Sequence, residues 1–444
     1  MTIDPGFEKF KRWRFIVELL PVIAMFFVIG SRIGFWYETN DDYIINGMLA
    51  GWFTGEPSFR TIYTGLFYAF PIKCLYDLFP AVGWYGIINL FLYVTANYGI
   101  LNRITAGAKS IAGYVCRLAL GLSVLGLMLR LNVFFQYTSI GIMLAVLGFV
   151  ILIVGSGRKR DLLAFFICEA VSYGVRPESM EIVQITGFMM YFAFTLKGAL
   201  LIKKPLVKHM INRVAPALII SALVICIGFV ADRISYSGET WQQALETNDA
   251  RSAWFDYHIS PEADEIREIL DKNNVTDTEY YAYRYYLNYS WDNSSEMVSD
   301  VNDYLAKRDQ SPKDYPGIVR SVFLNAGLDW GLQKITFLCV AIVIVSAILK
   351  KSLLDLLLLF TLEVSKLLAW GYLYYIGRFP VRIMVPLAIC HISMLILIAL
   401  NRPDSKDEQK DGFRIIKSIM AAGMAGVFLL VSVRSFVLQY RNCA

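Results

Sequence analysis

Long apolar runs separated by short polar segments make up most of this chain. The runs fall at 15–36, 81–102, 110–130, 137–156, 160–176, 180–199, 213–233, 331–350, 354–376, 381–401 and 413–437. Each is roughly 17–25 residues long, the length a helix rising 1.5 Å per residue needs to cross about 30 Å of hydrocarbon. The pattern predicts an all-α polytopic membrane protein with about eleven transmembrane helices. One further apolar stretch, 61–79, is interrupted by Pro71, Lys73 and Asp77.

Basic clusters decide how that stretch is read. Lys9, Lys11, Arg12 and Arg14 precede the first run, which puts the N-terminus in the cytoplasm and Asp41 and Asp42 outside. If 61–79 crossed, Arg158-Lys159-Arg160, the basic loop 197–213 and Lys350-Lys351 would all face outward. As a juxtamembrane or re-entrant segment it leaves every one of them inside, and that is the expectation. The C-terminus then lies outside. No small-residue cleavage site clearly follows the first run, so it is expected to stay as an anchor.

Composition agrees with this class. Of 444 residues, 56% are hydrophobic and 18% charged, more apolar surface than a soluble fold hides. Between Ile234 and Trp330 there are 18 Asp and Glu against 8 Lys and Arg, a net charge of −10, while the remainder carries +15. Three parts follow: a membrane module at 1–233 with an outer loop at 38–60, an acidic extracytoplasmic insert at 234–330, and C-terminal membrane helices at 331–444. The basic residues sit in short clusters between apolar runs, a distribution unsuited to nucleic acid. The seven cysteines are widely spaced singles and the three histidines are scattered, so neither a disulfide framework nor a His-based metal site is expected.

The insert reads as mainly helical, with segments over 239–254 and 260–274 and a third from Glu279. Ser260 before Pro261 suggests an N-cap, and Thr276 with Glu279 has capping-box spacing. Asn274, Asn288 and Asn293 open N-x-S/T triplets, a pattern common by chance.

Polar residues collect at the expected outer face: Asp41, Asp42 and Arg60 from the first loop, Arg130 and Gln136 from the turn LRLNVFFQYTS, Arg176 and Glu178 from YGVRPES, and Arg378 and Arg382 from YYIGRFPVR. Arginines against the positive-inside trend call for an anion, and their forked guanidinium suits phosphate. Plainer roles compete. The two aspartates suit the start of a helix, and Arg378 and Arg382 suit interfacial anchors. Glu169 and Arg176 share a helical face and fit a buried pair, as do Glu363 and Lys366. Arg117 fits a snorkelling cation. The tyrosine-rich stretch from Glu279 to Trp291 suits either sugar stacking or a membrane interface.

One span followed by an outer loop that opens on paired acids resembles the GT-C membrane glycosyltransferases. The resemblance rests on Asn40-Asp41-Asp42-Tyr43, Gly55-Glu56-Pro57, and the segment Tyr63 to Pro80 leading into Gly83-Trp84-Tyr85. It extends to RPES at Arg176 to Ser179, GRFPVR at Gly377 to Arg382, and Trp241, Asn248, Arg251, Asp256 and Tyr257 in the insert. It implies transfer of a hexosyl or pentosyl group from a polyprenyl-phosphate donor to a glycan or lipid acceptor of the cell envelope, at the outer face of the cell membrane. Asp41 or Asp42 would serve as general base, with inversion at the anomeric carbon. Arg176, Arg378 or Arg382 would hold the departing phosphate, and Arg60, Arg130, Gln136 and Glu178 would line the substrate site.

The family's oligosaccharyltransferase branch carries further acids in a later outer loop. The matching turn here, Leu131 to Ser139, offers Gln136 and no carboxylate, so metal-independent chemistry without a cofactor is expected. Two other functions remain open: a polymerase or ligase of lipid-linked glycans, and a transporter or flippase along whose path Glu169, Glu363 and Lys366 would lie.

Overall fold

The apolar runs fold as helices because a backbone in lipid must satisfy its own hydrogen bonds. The computed structural model describes residues 5–155, 157–203, 205–285, 294–309, 313–400 and 434. The first half comprises α1 (Pro5–Phe10), α2 (Arg14–Arg32), strand β1 (Trp36–Tyr37), α3 (Asn40–Ala50), α4 (Leu66–Leu78), α5 (Trp84–Thr105), α6 (Ile111–Leu127), α7 (Leu129–Val133), strand β2 (Phe134–Phe135), α8 (Tyr137–Val154), α9 (Lys159–Val175), α10 (Pro177–Leu201) and α11 (Leu206–Ser235). There follow α12 (Glu239–Tyr257), α13 (Arg267–Lys272), α14 (Asp277–Arg284), α15 (Ser294–Arg308), α16 (Tyr315–Leu324), α17 (Trp330–Leu349), α18 (Leu353–Tyr375) and α19 (Val381–Leu400).

Among the described residues, six helices are long and apolar enough to cross a membrane: α2, α8, α10, α11, α17 and α19. The chain is thus an all-α protein of multi-pass membrane type. The expected runs that give α5, α6, α9 and α18 are helical too, but α6 and α9 have only 17 residues each, α5 carries three asparagines and an arginine, and α18 carries two acids and a lysine among its apolar positions. The expected run at 413–437 lies outside the described residues. The segment 61–79 yields α4, 13 residues with Pro71 inside. At 1.5 Å per residue that helix is about 20 Å long, short of the hydrocarbon thickness.

The chain divides into two compact units. The first comprises 1–232, 323–369 and 380–444. Its centre is α8, which carries no charged residue, is buried from Tyr137 to Leu152, and packs on α5, α9, α10 and α19. Lipid supplies no hydrophobic drive between such helices, so small residues and polar links hold them together. Ser172 Oγ donates to Gly141 O at 2.7 Å. Gly65 N donates to Gly174 O at 2.7 Å, so close that a Cβ on Gly174 would stand 2.7 Å from Tyr68 N. Asp232 Oδ1 accepts from Leu66 N at 2.8 Å and so caps α4.

Three buried acids join helices elsewhere in this unit. Glu18 accepts from Arg14 Nε at 2.6 Å, Asn102 Nδ2 at 2.7 Å and Thr105 Oγ1 at 2.6 Å, tying α2 to the end of α5. Asp355 pairs with Lys197 and, at 3.4 Å, with Lys350. Glu169 accepts from Gln184 at 3.0 Å and Ser221 at 3.1 Å, so the expected pair with Arg176 does not form. The two residues share a helical face, but Arg176 starts the next helix and turns to other partners. Glu363 and Lys366 do pair, at 4.0 Å. Arg117 donates to Ile104 O at 3.3 Å, which satisfies an end carbonyl of α5.

The second unit comprises 233–322 and 370–379. Trp254 of α12 is fully buried among Ile266, Leu270, Tyr280, Met297 and Val301, and stacks on Tyr280. The Thr276–Glu279 capping box forms at the start of α14. Ser260, by contrast, caps no helix. Its Oγ accepts from Trp254 Nε1 at 3.0 Å, because a buried indole N–H needs a partner. Glu262 and Glu265 instead make a capping box on a 3-10 turn, Ala263–Ile266, which precedes α13. Asn288 and Asn293 lie outside the described residues, as does most of the tyrosine-rich stretch after Tyr285.

Candidate active site

The polar chain that leaves α2 is held by a short parallel bridge. Trp36 and Tyr37 pair with Phe134 and Phe135, and Glu38 N donates to Phe135 O at 3.0 Å. This fixes the first loop against the turn ahead of α8. Thr39 then adopts extended geometry and α3 begins at Asn40, which puts Asp41 and Asp42 in its first turn. Carboxylates are favoured there by the helix dipole. Their surroundings differ.

Asp42 is fully buried. Oδ1 accepts from Tyr85 Oη at 2.8 Å and from Tyr137 N at 3.0 Å, and Oδ2 accepts from Thr39 Oγ1 at 3.1 Å. Tyr137 is the first residue of α8, so this carboxyl caps a second helix in addition to starting its own. Burial pushes the Asp42 carboxyl up to about 7 against the pull of those three hydrogen bonds, and the neighbouring Asp41 adds to the rise.

Asp41 is half-buried and, among the described residues, its carboxylate has no hydrogen-bond or ion-pair partner. Its charge acts on Asp42 and on the Tyr137 hydroxyl. The two acids are therefore unlike: Asp42 is bound into the fold by three hydrogen bonds, and Asp41 has none among the described residues.

Cations surround the same tyrosine. Arg176, the N-cap residue of α10, donates to Tyr137 Oη and, at 3.3 Å, to Thr138 Oγ1. Its guanidinium lies 5.1 Å from the Tyr137 ring centroid and 3.3 Å from the exposed Glu178 carboxylate. Arg382 is half-buried; its carbonyl accepts from Ser139 Oγ at 2.8 Å, and its charge acts on both Tyr137 and Glu38. Arg130 pairs with Glu38 at 3.0 Å. Burial raises the Glu38 carboxyl despite Arg130 and Arg382, and its Oε2 is buried without a partner among the described residues. Asp41, Asp42, Arg130, Arg176 and Arg382 thus share one region of the first unit, where the N-termini of α8 and α10 add positive field.

The other expected residues are placed differently. Gln136 is buried, with Oε1 accepting from Ser139 N at 2.9 Å, so its side chain caps α8. Arg60 lies over the Phe59 ring at 4.9 Å. Arg378 belongs to the second unit, where it pairs with Asp256 at 2.7 Å and covers the Tyr257 ring at 5.2 Å. Sequence reasoning gave no site role to Glu38, Thr39, Tyr85 or Tyr137. All four lie in segments already singled out, and a buried acid's need for donors was the signal for the tyrosines. Among the described residues, no three His, Cys, Asp or Glu side chains converge as a metal site.

No family model matches the chain, and no curated protein does so. The site's geometry therefore carries the functional argument.

Proposed function

We propose that this chain is a multi-pass glycosyltransferase of the GT-C kind in the cell membrane. It moves a sugar from a polyprenyl-phosphate donor to a glycan or lipid acceptor of the cell envelope. In this reading about eleven helices span the bilayer, the N-terminus is cytoplasmic, and residues 234–330 lie outside. The observation that supports it is a carboxylate without a partner among the described residues, Asp41, in the same region as Arg176 and Arg382 and the starts of two helices.

Asp41 takes the proton of the acceptor hydroxyl as that oxygen bonds to the anomeric carbon. The bond from that carbon to the lipid phosphate oxygen breaks on the opposite face, so the configuration inverts. Arg176 and Arg382 meet the charge that develops on the departing phosphate, and the helix N-termini reinforce them. Asp42 keeps α3 docked on α8 and so orients its neighbour. The scheme is metal-independent, because the turn 131–139 supplies no carboxylate for an ion.

The test is transfer by the full chain in proteoliposomes, with polyprenyl-phosphate hexoses and pentoses as donors. Release of polyprenyl phosphate with an inverted glycosidic product supports the reading. Extension of a lipid-linked glycan would indicate a polymerase or ligase instead, and lipid translocation without bond formation a flippase. Topology has its own check: in Asp41→Cys, an impermeant thiol reagent added outside intact cells labels position 41. Labelling only after permeabilisation overturns the assigned orientation.

A further inference from the structure

Ionisable side chains gather a second time in the first unit, within helices otherwise given to apolar residues. His391 Nε2 of α19 lies 2.9 Å from Glu363 Oε1 of α18. Lys366 Nζ lies 4.0 Å from Glu363 Oε2 and 2.5 Å from Asn325 Oδ1. His391 and Lys366 are each 3% exposed, while the Glu363 side chain keeps 23% of its surface. Charged groups inside a membrane bundle are costly and mark function more often than support. A link between two helices needs only one hydrogen bond, which a serine or asparagine supplies without a titratable group.

The histidine is incompletely used. Its Nδ1 is buried and, among the described residues, has no partner. With Nε2–H donated to the Glu363 carboxylate, Nδ1 is a bare acceptor inside the bundle. Leaving such an atom unsatisfied costs about 1–3 kcal/mol. Glu363 charged, Lys366 charged and His391 neutral sum to zero, so the cluster accepts one proton without carrying more than a single net charge. The carboxylate on the opposite nitrogen stabilises the imidazolium that results.

Other charges near α19 are engaged elsewhere. Its neighbour α8 carries none. Arg117 of α6 donates to Leu400 O, at the last residue of α19. Lys334 of α17 lies over the Trp330 ring at 4.9 Å, and Asp355 of α18 is bound to Lys197. Arg382, in the first turn of α19, belongs to the site around Tyr137. Among the described residues, Glu363 and Lys366 are the charges that act on His391.

We propose that His391 and Glu363 form a proton-binding site of the membrane unit, with His391 Nδ1 taking the proton and Lys366 setting how readily it does so. The balance is simple: a proton from water bonds to Nδ1, Nε2–H stays on the Glu363 carboxylate, and the cluster passes from net zero to one positive charge. Glu363, partly exposed, is the member in reach of the surroundings.

Histidine-selective 15N NMR of the full chain in lipid nanodiscs tests this, because the sequence holds only three histidines. His391→Gln assigns the signal. The expected result is a reversible passage of His391 from a neutral ring protonated at Nε2 to imidazolium as the pH is lowered. Lys366→Gln removes the opposing charge and raises the imidazolium-to-neutral ratio at a given pH by about threefold or more. Glu363→Gln lowers that ratio, and if that variant does not fold, the Lys366→Gln arm decides alone. A His391 ring held in one neutral tautomer throughout, or a ratio unmoved by Lys366→Gln, overturns the proposal and leaves a fixed link between helices.

Discussion

Asp41→Asn is expected to lower sugar transfer by about 10²–10⁴-fold, the usual contribution of a positioned general base, while the protein folds and binds its lipid donor as before. The expectation rests on how little the fold asks of Asp41. Its carboxylate has no partner among the described residues and is half-buried, so replacing it with an amide of the same shape breaks no contact. An amide cannot accept the acceptor's proton, and the loss falls on kcat and on kcat/KM alike. The measurement is steady-state transfer by the full chain, with donor binding followed separately. Wild-type turnover in Asp41→Asn would remove Asp41 from the chemistry. Glu38, whose Oε2 is buried without a partner among the described residues, would then be the next group to substitute.

The chain's membrane character and most of its helices were legible, because an apolar run of spanning length has few other fates. Local signals also held where the decisive contact lies within a few residues, as at Thr276 and Glu279. The difference between Asp41 and Asp42 was not legible. It depends on Tyr85, 43 positions on, and on the Tyr137 amide, 95 positions on, and adjacent side chains on a helix point about 100° apart. Nor does spacing separate Arg378 from Arg382, although each belongs to a different unit. Ser260 was misassigned because a serine before a proline fits an N-cap, and only the folded unit reveals a buried indole in need of an acceptor. Gln136 sits in a turn of suggestive polar residues, yet capping α8 uses up its side chain.

Asp42 yields the second large effect, on stability and its dependence on pH. Asp42→Ala leaves the buried Tyr85 hydroxyl and the Tyr137 N–H without an acceptor, at about 1–3 kcal/mol for each. A total of about 2–6 kcal/mol is enough to undock α3 from α8. Asp42→Asn keeps an oxygen for both donors and is expected to fold. What it loses is a proton. The folded carboxyl titrates near 7 and an ordinary aspartate at 3.8, so between those values the folded chain holds a proton that the unfolded chain has released. Stability contributed by this group is therefore full below about pH 4, falls as pH rises toward 7 by up to about 1.4 kcal/mol per unit, and levels off above. Glu38 is raised as well and acts with the same sign, so the quantity to measure is the difference between wild type and Asp42→Asn. Unfolding of the full chain in detergent, followed from pH 5 to 8, should show the wild type losing stability relative to the variant across that range. Parallel curves would mean that Asp42 is charged throughout in the folded chain, and its burial would then be offset by donors stronger than the three hydrogen bonds at 2.8–3.1 Å provide.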